Sequence, residues 1–250
     1  MKFNPLATNL LRVFNRDSFL KILLMNWLIT GGCGFIGQAL VCDLLSCSKN
    51  RVRVLDNLSV GKPDSLTRFG VFVGVEDREA DSGWNEKLSL RVGDILDFKT
   101  VADAVKGAEV IVHLAANTGV EPSVKDPVSD CETNVIGTLN VLQGSRIAGV
   151  RRFVFASSGA PLGQQVPPLH EEMAAHPMSP YGASKLAGEG YCSAFFHSFG
   201  VETVVLRFGN VYGGGSGHKE SVIARFIKKA FDGDSIEIFG DGSQTRDFIF

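Results

Sequence analysis

The chain has 250 residues, of which 44% are hydrophobic and 21% are charged, and its formal net charge is −2. This balance is typical of a soluble globular protein that can bury a full core. The near-neutral charge gives no strongly basic surface, so we expect neither nucleic acid nor a membrane as a partner. The five cysteines are odd in number and lack C-x-x-C spacing, which predicts no disulfide framework and no metal site and favours a reducing, cytoplasmic setting.

Residues 1–24 precede the first predicted strand and mix apolar side chains with lysines and arginines. None of their apolar runs is long enough to span a bilayer. Three interpretations stay open: a transit-like amphipathic segment, a surface helix, or an artefact of the choice of start site, since Met25 directly precedes the strand. We therefore treat residues 1–24 as an N-terminal extension whose structure the sequence does not define.

A glycine-rich turn follows the first strand. Residues 27–37 read WLITGGCGFIG, in which a short buried strand stops at glycines and a helix starts. Gly31 permits the tight turn, Gly34 lets the backbone approach a pyrophosphate, and Gly37 lets the helix pack closely on the strand. Because the helix start offers free N–H groups and the positive end of a dipole, the turn predicts dinucleotide binding.

The second predicted strand, Arg51–Asp56, ends in a carboxylate that would accept hydrogen bonds from the ribose hydroxyls of an adenosine. A carboxylate at this point repels a 2′-phosphate, and no Arg or Lys directly follows it, so NAD is favoured over NADP. The alternative is that Asp56 only starts a turn together with Asn57.

Apolar runs alternate with helical spacing along the chain that follows. Residues 88–95 predict a third strand that ends at Asp94 and Ile95, beside the edge and the face of the adenine. The nearly unbroken apolar run 109–116 is typical of a strand covered on both faces, and we expect His113 within it to be a hydrogen-bonded core residue without a catalytic role. This alternation predicts right-handed β-α-β units and an α/β fold with a Rossmann-like, doubly wound parallel sheet.

The later part of the chain continues the pattern. The predicted elements are helix 134–143, strand 152–158, helix 181–199, strand 202–208, helix 221–231 and strand 235–239. Ser158 therefore ends its strand at the edge where open α/β sheets bind ligands.

Tyr181 and Lys185 are four residues apart and share one face of the helix that starts after Pro180. A tyrosine hydroxyl has a pKa of about 10 in water, and a lysine ammonium one turn away, with the positive nicotinamide ring, would lower that pKa and make the phenolate a general base. With the hydroxyl of Ser158, and less favourably that of Ser157, these residues predict reversible oxidation of an alcohol without a metal. Tyr and Lys at this spacing also occur on solvated helix faces, so the prediction depends on the upstream glycine turn and acid.

These ordered motifs resemble an extended short-chain dehydrogenase/reductase of the NAD-dependent epimerase/dehydratase family. The matching segments are TGGCGFIG (30–37), DNLS (56–59), GDI (93–95), HLAA (113–116), NVIGT (134–138), SS (157–158), YGASK (181–185), LRFGNVYG (206–213) and GDGSQTRDF (240–248). The resemblance covers the chain from Met25 to its last residue.

The resemblance implies 4-epimerisation of a nucleotide sugar, of the UDP-glucose/UDP-galactose type, through a transient 4-keto intermediate and with tightly held NAD. Tyr181 is then the base, Lys185 modulates its pKa and binds the cofactor ribose, and Ser158 bonds the sugar oxygen. Asn210 and Arg246 would contact the nucleotide diphosphate, unless Arg246 forms only a surface ion pair. The residues expected to bind NAD are Gly31, Gly34, Phe35, Ile36, Gly37, Asp56, Asn57, Asp94, Ile95, Ala115, Ala116 and Lys185.

The resemblance also divides the chain. Residues 25–205 correspond to the NAD-binding Rossmann domain, and residues 206–250 to its sixth strand and the start of a nucleotide-sugar-binding domain that is small and C-terminally truncated. In place of the family's V-Y-G after the serine stand Pro161, Leu162 and Gly163, which leaves the sugar open. Family members often form homodimers, and we expect the same here.

Alternatives within and beyond the family stay open. Dehydratases place Asp and Glu directly after the equivalent of Ser158, and decarboxylases keep the Glu, whereas this chain has Gly159 and Ala160. Epimerisation is therefore favoured over another nucleotide-sugar modification by a dehydratase, decarboxylase or reductase. The remaining alternative is an NAD-binding fragment without turnover.

Overall fold

The computed structural model describes residues 25–67, 74–75, 84–215, 222–238, 240–243 and 245–250. The extension predicted over residues 1–24 lies outside them. Within the described ranges no helix combines the length and the apolar character needed to cross a membrane.

Seven parallel strands form the central sheet, in the order β3-β4-β2-β1-β5-β6-β7. The strands are β1 (Asn26–Thr30), β2 (Arg51–Asp56), β3 (Gly74–Val75), β4 (Leu88–Val92), β5 (Val110–His113), β6 (Arg152–Ser158) and β7 (Glu202–Phe208). From the centre, β2 and β4 extend the sheet on one side of β1, while β5, β6 and β7 extend it on the other. The predicted doubly wound sheet is confirmed, and its switch point, where such sheets bind ligands, lies between β1 and β5.

Helices cover both faces of the sheet. The helices of the described residues are α1 (Phe35–Ser46), α2 (Asp64–Thr67), α3 (Phe98–Val105), α4 (Val120–Lys125), α5 (Pro127–Cys131), α6 (Thr138–Ile147), α7 (Pro180–Phe199) and α8 (Val222–Asp232), of which α1, α3, α6 and α7 pack on the sheet. A π-helical turn, Glu132–Gly137, joins α5 to α6. Because side chains alternate along a strand, Ile29 of β1 belongs to the apolar core on one face and its neighbour Leu28 to the core on the other.

Helix α7 has defined ends that the sequence encodes locally. The Ser179 side chain accepts a hydrogen bond from Gly182 N at 3.1 Å, and Pro180 occupies the first helical position, where no N–H is needed. Gly200 ends the helix in the left-handed conformation, with φ of 71°. The helix thus starts one residue before the predicted Tyr181 and ends at the predicted Phe199.

The structure corrects two of the predicted strands. The predicted strand 88–95 ends at Val92, because the following residues turn into the crevice. Residues 235–238 are exposed and are not a strand, since within the described part of the chain no strand pairs with them; residue 239, the last of the predicted strand, lies outside that part. Strand β7 continues through residues 205 and 206 to Phe208. Beyond it, β8 (Asn210–Val211) pairs in parallel with β9 (Phe248–Ile249).

Candidate active site

A cleft runs along the carboxyl ends of the strands at the switch point. The predicted site residues that line it are Gly31, Gly34, Phe35, Ile36, Gly37, Asp56, Asn57, Asp94, Ile95, Ala115, Ala116, Ser158, Tyr181 and Lys185. The fold therefore brings all the residues predicted to bind the cofactor together with the three predicted to react.

The glycine turn is built by close contacts between backbones. Gly31 has φ of +69°, and a Cβ on it would lie 2.7 Å from Ala115 N. A Cβ on Gly37 would lie 2.5 Å from Gly31 O, so helix α1 packs on the turn only without a side chain there. Gly34 is different, since a Cβ would meet only Gly31 O, at 3.1 Å. Helix α1 begins directly after Gly34 with no side-chain cap, and its first turn lines the cleft, so the positive end of its dipole faces a bound anion. This cradle fits the pyrophosphate of a dinucleotide.

Asp56 has a structural role besides the predicted one. Its Oδ2 accepts a hydrogen bond from Cys33 N at 2.9 Å, and its Oδ1 accepts one from Leu58 N at 2.9 Å. The carboxylate therefore holds the glycine turn and also starts the turn that follows β2. The second role is the one that the alternative interpretation of Asp56, as the start of a turn with Asn57, predicted. Each carboxylate oxygen has a second lone pair, which leaves both able to accept a ribose hydroxyl.

The adenine end of the cleft is organised by two polar residues and one apolar residue. Asn57 Nδ2 donates to Asp94 Oδ2 at 2.8 Å, and Asp94 Oδ1 accepts from Leu96 N at 2.8 Å. Ile95 is buried beside Gly137, whose Cβ would lie 2.5 Å from Ile95 Cδ1. Asp94 and Ile95, predicted to contact the adenine, are thus held in place by hydrogen bonds and by close packing.

Tyr181, Lys185 and Ser158 meet at the other end of the cleft. Lys185 is buried, and its Nζ donates to Ala156 O at 2.9 Å and lies 5.9 Å from the Tyr181 ring centroid. Burial lowers the pKa of Lys185 to about 8, against the negative charge of Asp130, which raises it. Two further N–H groups of the ammonium remain to bind a ribose.

Without the nicotinamide ring, the protein's own groups do not lower the pKa of Tyr181. Burial raises the pKa of the Tyr181 phenol above its ordinary value; a hydrogen bond with Ser158 opposes this rise, and the Asp130 charge adds to it. The phenol is therefore neutral near pH 7. A phenolate requires a further positive charge, which the nicotinamide ring of NAD would bring.

The sequence interpretation missed a buried polar network behind these residues. Asn134, in the π-helical turn, donates from Nδ2 to Asp130 Oδ1 at 3.0 Å and to Ser184 Oγ at 3.1 Å, and its Oδ1 accepts from Asn117 N at 2.8 Å. Ser184 lies on α7 between Tyr181 and Lys185. The network thus fixes α7 against the helices that follow β5.

His113 is the hydrogen-bonded core residue that was expected. Its Nδ1 lies 2.7 Å from Thr30 Oγ1, and its Nε2 lies 2.9 Å from Thr138 Oγ1. Because the Thr138 hydroxyl donates to Asn134 O, His113 must donate from Nε2, which assigns its neutral tautomer. Burial, together with the Lys185 charge, lowers the pKa of His113 to about 3.

Asn210 and Arg246, predicted to bind the diphosphate, do not line the cleft. Both are exposed, and Asn210 Nδ2 donates to Asp247 O at 2.9 Å, which joins β8 to the segment before β9. The neighbouring Val211 does line the cleft, so Asn210 lies at its rim.

The parallel sheet, the glycine cradle, the acid after β2 and the Ser-Tyr-Lys set together define an NAD-binding protein of the short-chain dehydrogenase/reductase class. A model of the NAD-dependent epimerase/dehydratase family matches residues 27–250. The chain belongs to this family, and its cofactor is NAD.

Named relatives have the same fold. The chain is 37% identical over 231 residues to the UDP-glucose 4-epimerase of Mycolicibacterium smegmatis, covering 90% of this chain and 69% of that protein. The crystal structure of UDP-glucose 4-epimerase with UDP-glucose from Thermotoga maritima is 35% identical, with a TM-score of 0.78, over 90% of this chain and 69% of that one. The Thermus thermophilus UDP-glucose 4-epimerase complex with NAD is 36% identical, with a TM-score of 0.75, over 90% of this chain and 70% of that one. Other relatives are a UDP-glucuronate 4-epimerase, a decarboxylase and a dTDP-glucose 4,6-dehydratase.

Proposed function

We propose that this protein catalyses NAD-dependent 4-epimerisation of a nucleotide sugar of the UDP-glucose/UDP-galactose type through a transient 4-keto intermediate. The distribution of carboxylates in the cleft carries the proposal. Among the described lining residues the carboxylates are Asp56 and Asp94, which follow β2 and β4 on the adenosine side. Gly159 and Ala160, directly after Ser158, offer no acid to protonate a leaving hydroxyl. The named 4-epimerases among the relatives support the same choice over dehydration.

The described residues divide the proton chemistry among them. When bound, NAD would supply the hydride acceptor and donor for C4 of the sugar, and inversion requires that the hydride return to the opposite face of that carbon. Tyr181, as phenolate, takes the proton of the C4 hydroxyl and gives it back when the hydroxyl is restored. Ser158, already hydrogen-bonded to Tyr181, holds the sugar oxygen, and the Lys185 ammonium stabilises the phenolate and binds the cofactor ribose. Only a positive charge close to the phenol makes this base effective near neutral pH.

The substrate contacts belong to the same proposal. Asn210 at the rim and Arg246 beyond it would bind the diphosphate, for which the forked donors of Arg246 are well suited. We also propose, from the family resemblance, that the protein forms a homodimer.

Product analysis tests the proposed function. The protein is incubated with NAD and separately with UDP-glucose, UDP-galactose, UDP-N-acetylgalactosamine, UDP-glucuronate and dTDP-glucose, and the products are separated by chromatography. We expect the 4-epimer of at least one UDP-sugar and no product with a lost hydroxyl or carboxyl group. A 4-keto-6-deoxy sugar, or NAD binding without any product, would contradict the proposal.

A further inference from the structure

A carboxylate that the reaction itself does not use lies behind the reacting residues. Glu189 is on α7, one turn beyond Lys185, and accepts three hydrogen bonds. Arg207 donates two of them, from Nε to Oε1 at 2.9 Å and from Nη2 to Oε2 at 2.6 Å. Ser157 Oγ donates the third, to Oε1 at 2.5 Å. The Glu189 side chain is only 11% exposed, so this forked contact is shielded from water and strongly directional.

The three partners come from three elements. Ser157 and Arg207 are in-register neighbours on β6 and β7, and Glu189 is on the helix that packs against both strands. One carboxylate therefore joins α7 to the carboxyl ends of two strands. Arg207 supplies a planar group with fixed geometry, which restricts both sliding and rotation of the helix.

The cluster is directly connected to the reacting atoms. Ser157 lies between Ala156, whose carbonyl accepts from Lys185 Nζ, and Ser158, which is hydrogen-bonded to Tyr181. Helix α7 thus contacts the end of β6 at successive residues. The lysine stem has several rotatable bonds and tolerates small shifts of the helix, whereas the Glu189 contact does not.

We propose that Glu189 is a positioning residue that holds α7 in register with β6 and so sets the separation of the Tyr181 and Ser158 hydroxyls. The inference rests on the proposed function, because the proton transfer at Tyr181 is the step that it serves. Tyr181, Lys185 and Glu189 follow one another at intervals of four residues on a continuous helix, so a displacement at Glu189 moves Tyr181 as well.

A second ion pair on the same strands provides a matched control. Arg152 Nη2 lies 2.8 Å from Glu202 Oε2, and these residues are also in-register neighbours of β6 and β7. This pair joins the strands at their amino ends, away from the cleft. Replacing Glu202 by glutamine removes one charge from this cross-strand pair, and replacing Glu189 by glutamine removes one charge from the pair that joins α7 to β7. Of the two glutamates, only Glu189 bears on the reacting residues.

Cys192, Lys185 and Glu171 are titratable groups near the Glu189–Arg207 ion pair. Burial and, to a smaller extent, the Glu189 charge raise the pKa of the Cys192 thiol to about 12 against the effect of Lys185, so Cys192 stays protonated below pH 10. Lys185 itself has its pKa lowered to about 8. Glu171 adds a negative charge near Arg207.

The first measurement is steady-state kinetics of Glu189→Gln and Glu202→Gln with a nucleotide sugar that the unaltered protein converts. Misplacement of a catalytic group by about 1 Å costs up to about 100-fold in rate. We expect kcat of Glu189→Gln to fall about 10- to 100-fold, with KM and NAD content close to those of the unaltered protein. Glu202→Gln should retain its kcat. Circular dichroism establishes that each variant is folded at the assay temperature.

The second measurement needs no substrate. The chain has three tyrosines, so protein labelled with carbon-13 at the tyrosine Cζ gives three resonances, and Tyr181→Phe assigns the one from Tyr181. Because the Ser158 hydrogen bond lowers the pKa of Tyr181, a displaced helix should raise its titration midpoint. We expect this rise in Glu189→Gln, with and without NAD, and no shift in Glu202→Gln.

The two measurements separate the possible failures. If Glu189→Gln does not fold, Ser157→Ala, which keeps the ion pair, should show a smaller rise of the same midpoint. Wild-type kcat in folded Glu189→Gln, or a Tyr181 titration identical to that of Glu202→Gln, would overturn the positioning role. If the unaltered protein converts no nucleotide sugar but its Tyr181 midpoint still depends on Glu189, the proposed function fails and the positioning role is supported.

Discussion

On the β2 side of the cleft backbone segments pack closely around the glycine turn, whereas on the β6 side the reacting side chains are held by burial and by hydrogen bonds. At the first, Gly31 and Gly37 allow main-chain atoms to approach one another, and Asp56 accepts hydrogen bonds from two backbone N–H groups. At the second, Lys185 is buried and Tyr181 depends on Ser158. The binding side is therefore sensitive to added volume, and the reacting side to charge and position.

The largest effect is expected on the reacting side, where Tyr181→Phe removes one hydroxyl. Loss of a general acid–base group typically costs about 10²- to 10⁴-fold in rate. We expect kcat to fall by that factor while bound NAD, measured after extraction of the purified protein, is retained. Unchanged turnover in this variant would exclude Tyr181 as the base.

The next effect concerns the buried charge of Lys185, in protein freed of NAD. Its pKa is about 8 in the folded chain, below the ordinary value of 10.5, so the unfolded chain binds this proton more tightly. Burial of the charged lysine destabilises the folded chain fully below pH 8. This destabilisation is relieved as the pH rises from about 8 to 10.5, so the free energy of unfolding should increase over that range. The pKa difference corresponds to about 3 kcal/mol.

Lys185→Met tests whether the buried charge destabilises the folded chain. At pH 7 the free energy of unfolding should rise by up to about 3 kcal/mol, reduced by the hydrogen bond lost at Ala156 O. The difference from the unaltered protein should shrink towards pH 10.5, and activity should be lost. Urea unfolding at several pH values measures it, and a variant that is less stable at every pH would contradict the buried-charge account.

The smallest effects are expected from alanine substitutions in the glycine turn. They distinguish Gly37, which allows close packing of the backbone, from Gly34, which leaves room for the cofactor. In Gly37→Ala the new methyl group would clash with the backbone, and such overpacking costs about 1–3 kcal/mol. In Gly34→Ala only one nearby atom is met, so NAD affinity should fall with little change in stability. Gly190→Ala is the control: it lies within α7 with open space around it, and it should stabilise the helix by about 0.5–1 kcal/mol. Thermal unfolding and NAD titration of the three variants measure these differences, and equal stability of Gly37→Ala and Gly34→Ala would contradict the close packing at the turn.

What the sequence predicts differs between the two sides for a physical reason. The glycine turn, Asp56 and the Tyr181-Lys185 spacing are local patterns, and all of these residues line the cleft. The Asn134 network and the Glu189 cluster join residues from different elements, so they exist only once helix packing and strand register are fixed. Glu189 follows Lys185 by four residues, and that spacing was the one local sign of its position.

The same reasoning accounts for the misplaced boundaries. Alternation in residues 235–239 indicated a strand, but a strand also requires a partner, which the sequence does not specify. Conversely, β8 and β9 are too short to show a period, although Asn210 and Phe248 are in-register partners in the structure. The pKa of Tyr181 depends on its burial, which spacing alone does not reveal.

The most direct test of the central claim follows the hydrogen at C4 of the sugar. The protein, loaded with NAD, is incubated with a UDP-sugar that carries deuterium at C4, and the product is analysed by nuclear magnetic resonance. We predict the 4-epimer with its deuterium still at C4, because the cleft returns that hydrogen to the carbon from which it came. A product with ordinary hydrogen at C4, or a product altered at C5 or C6 instead, would contradict the account.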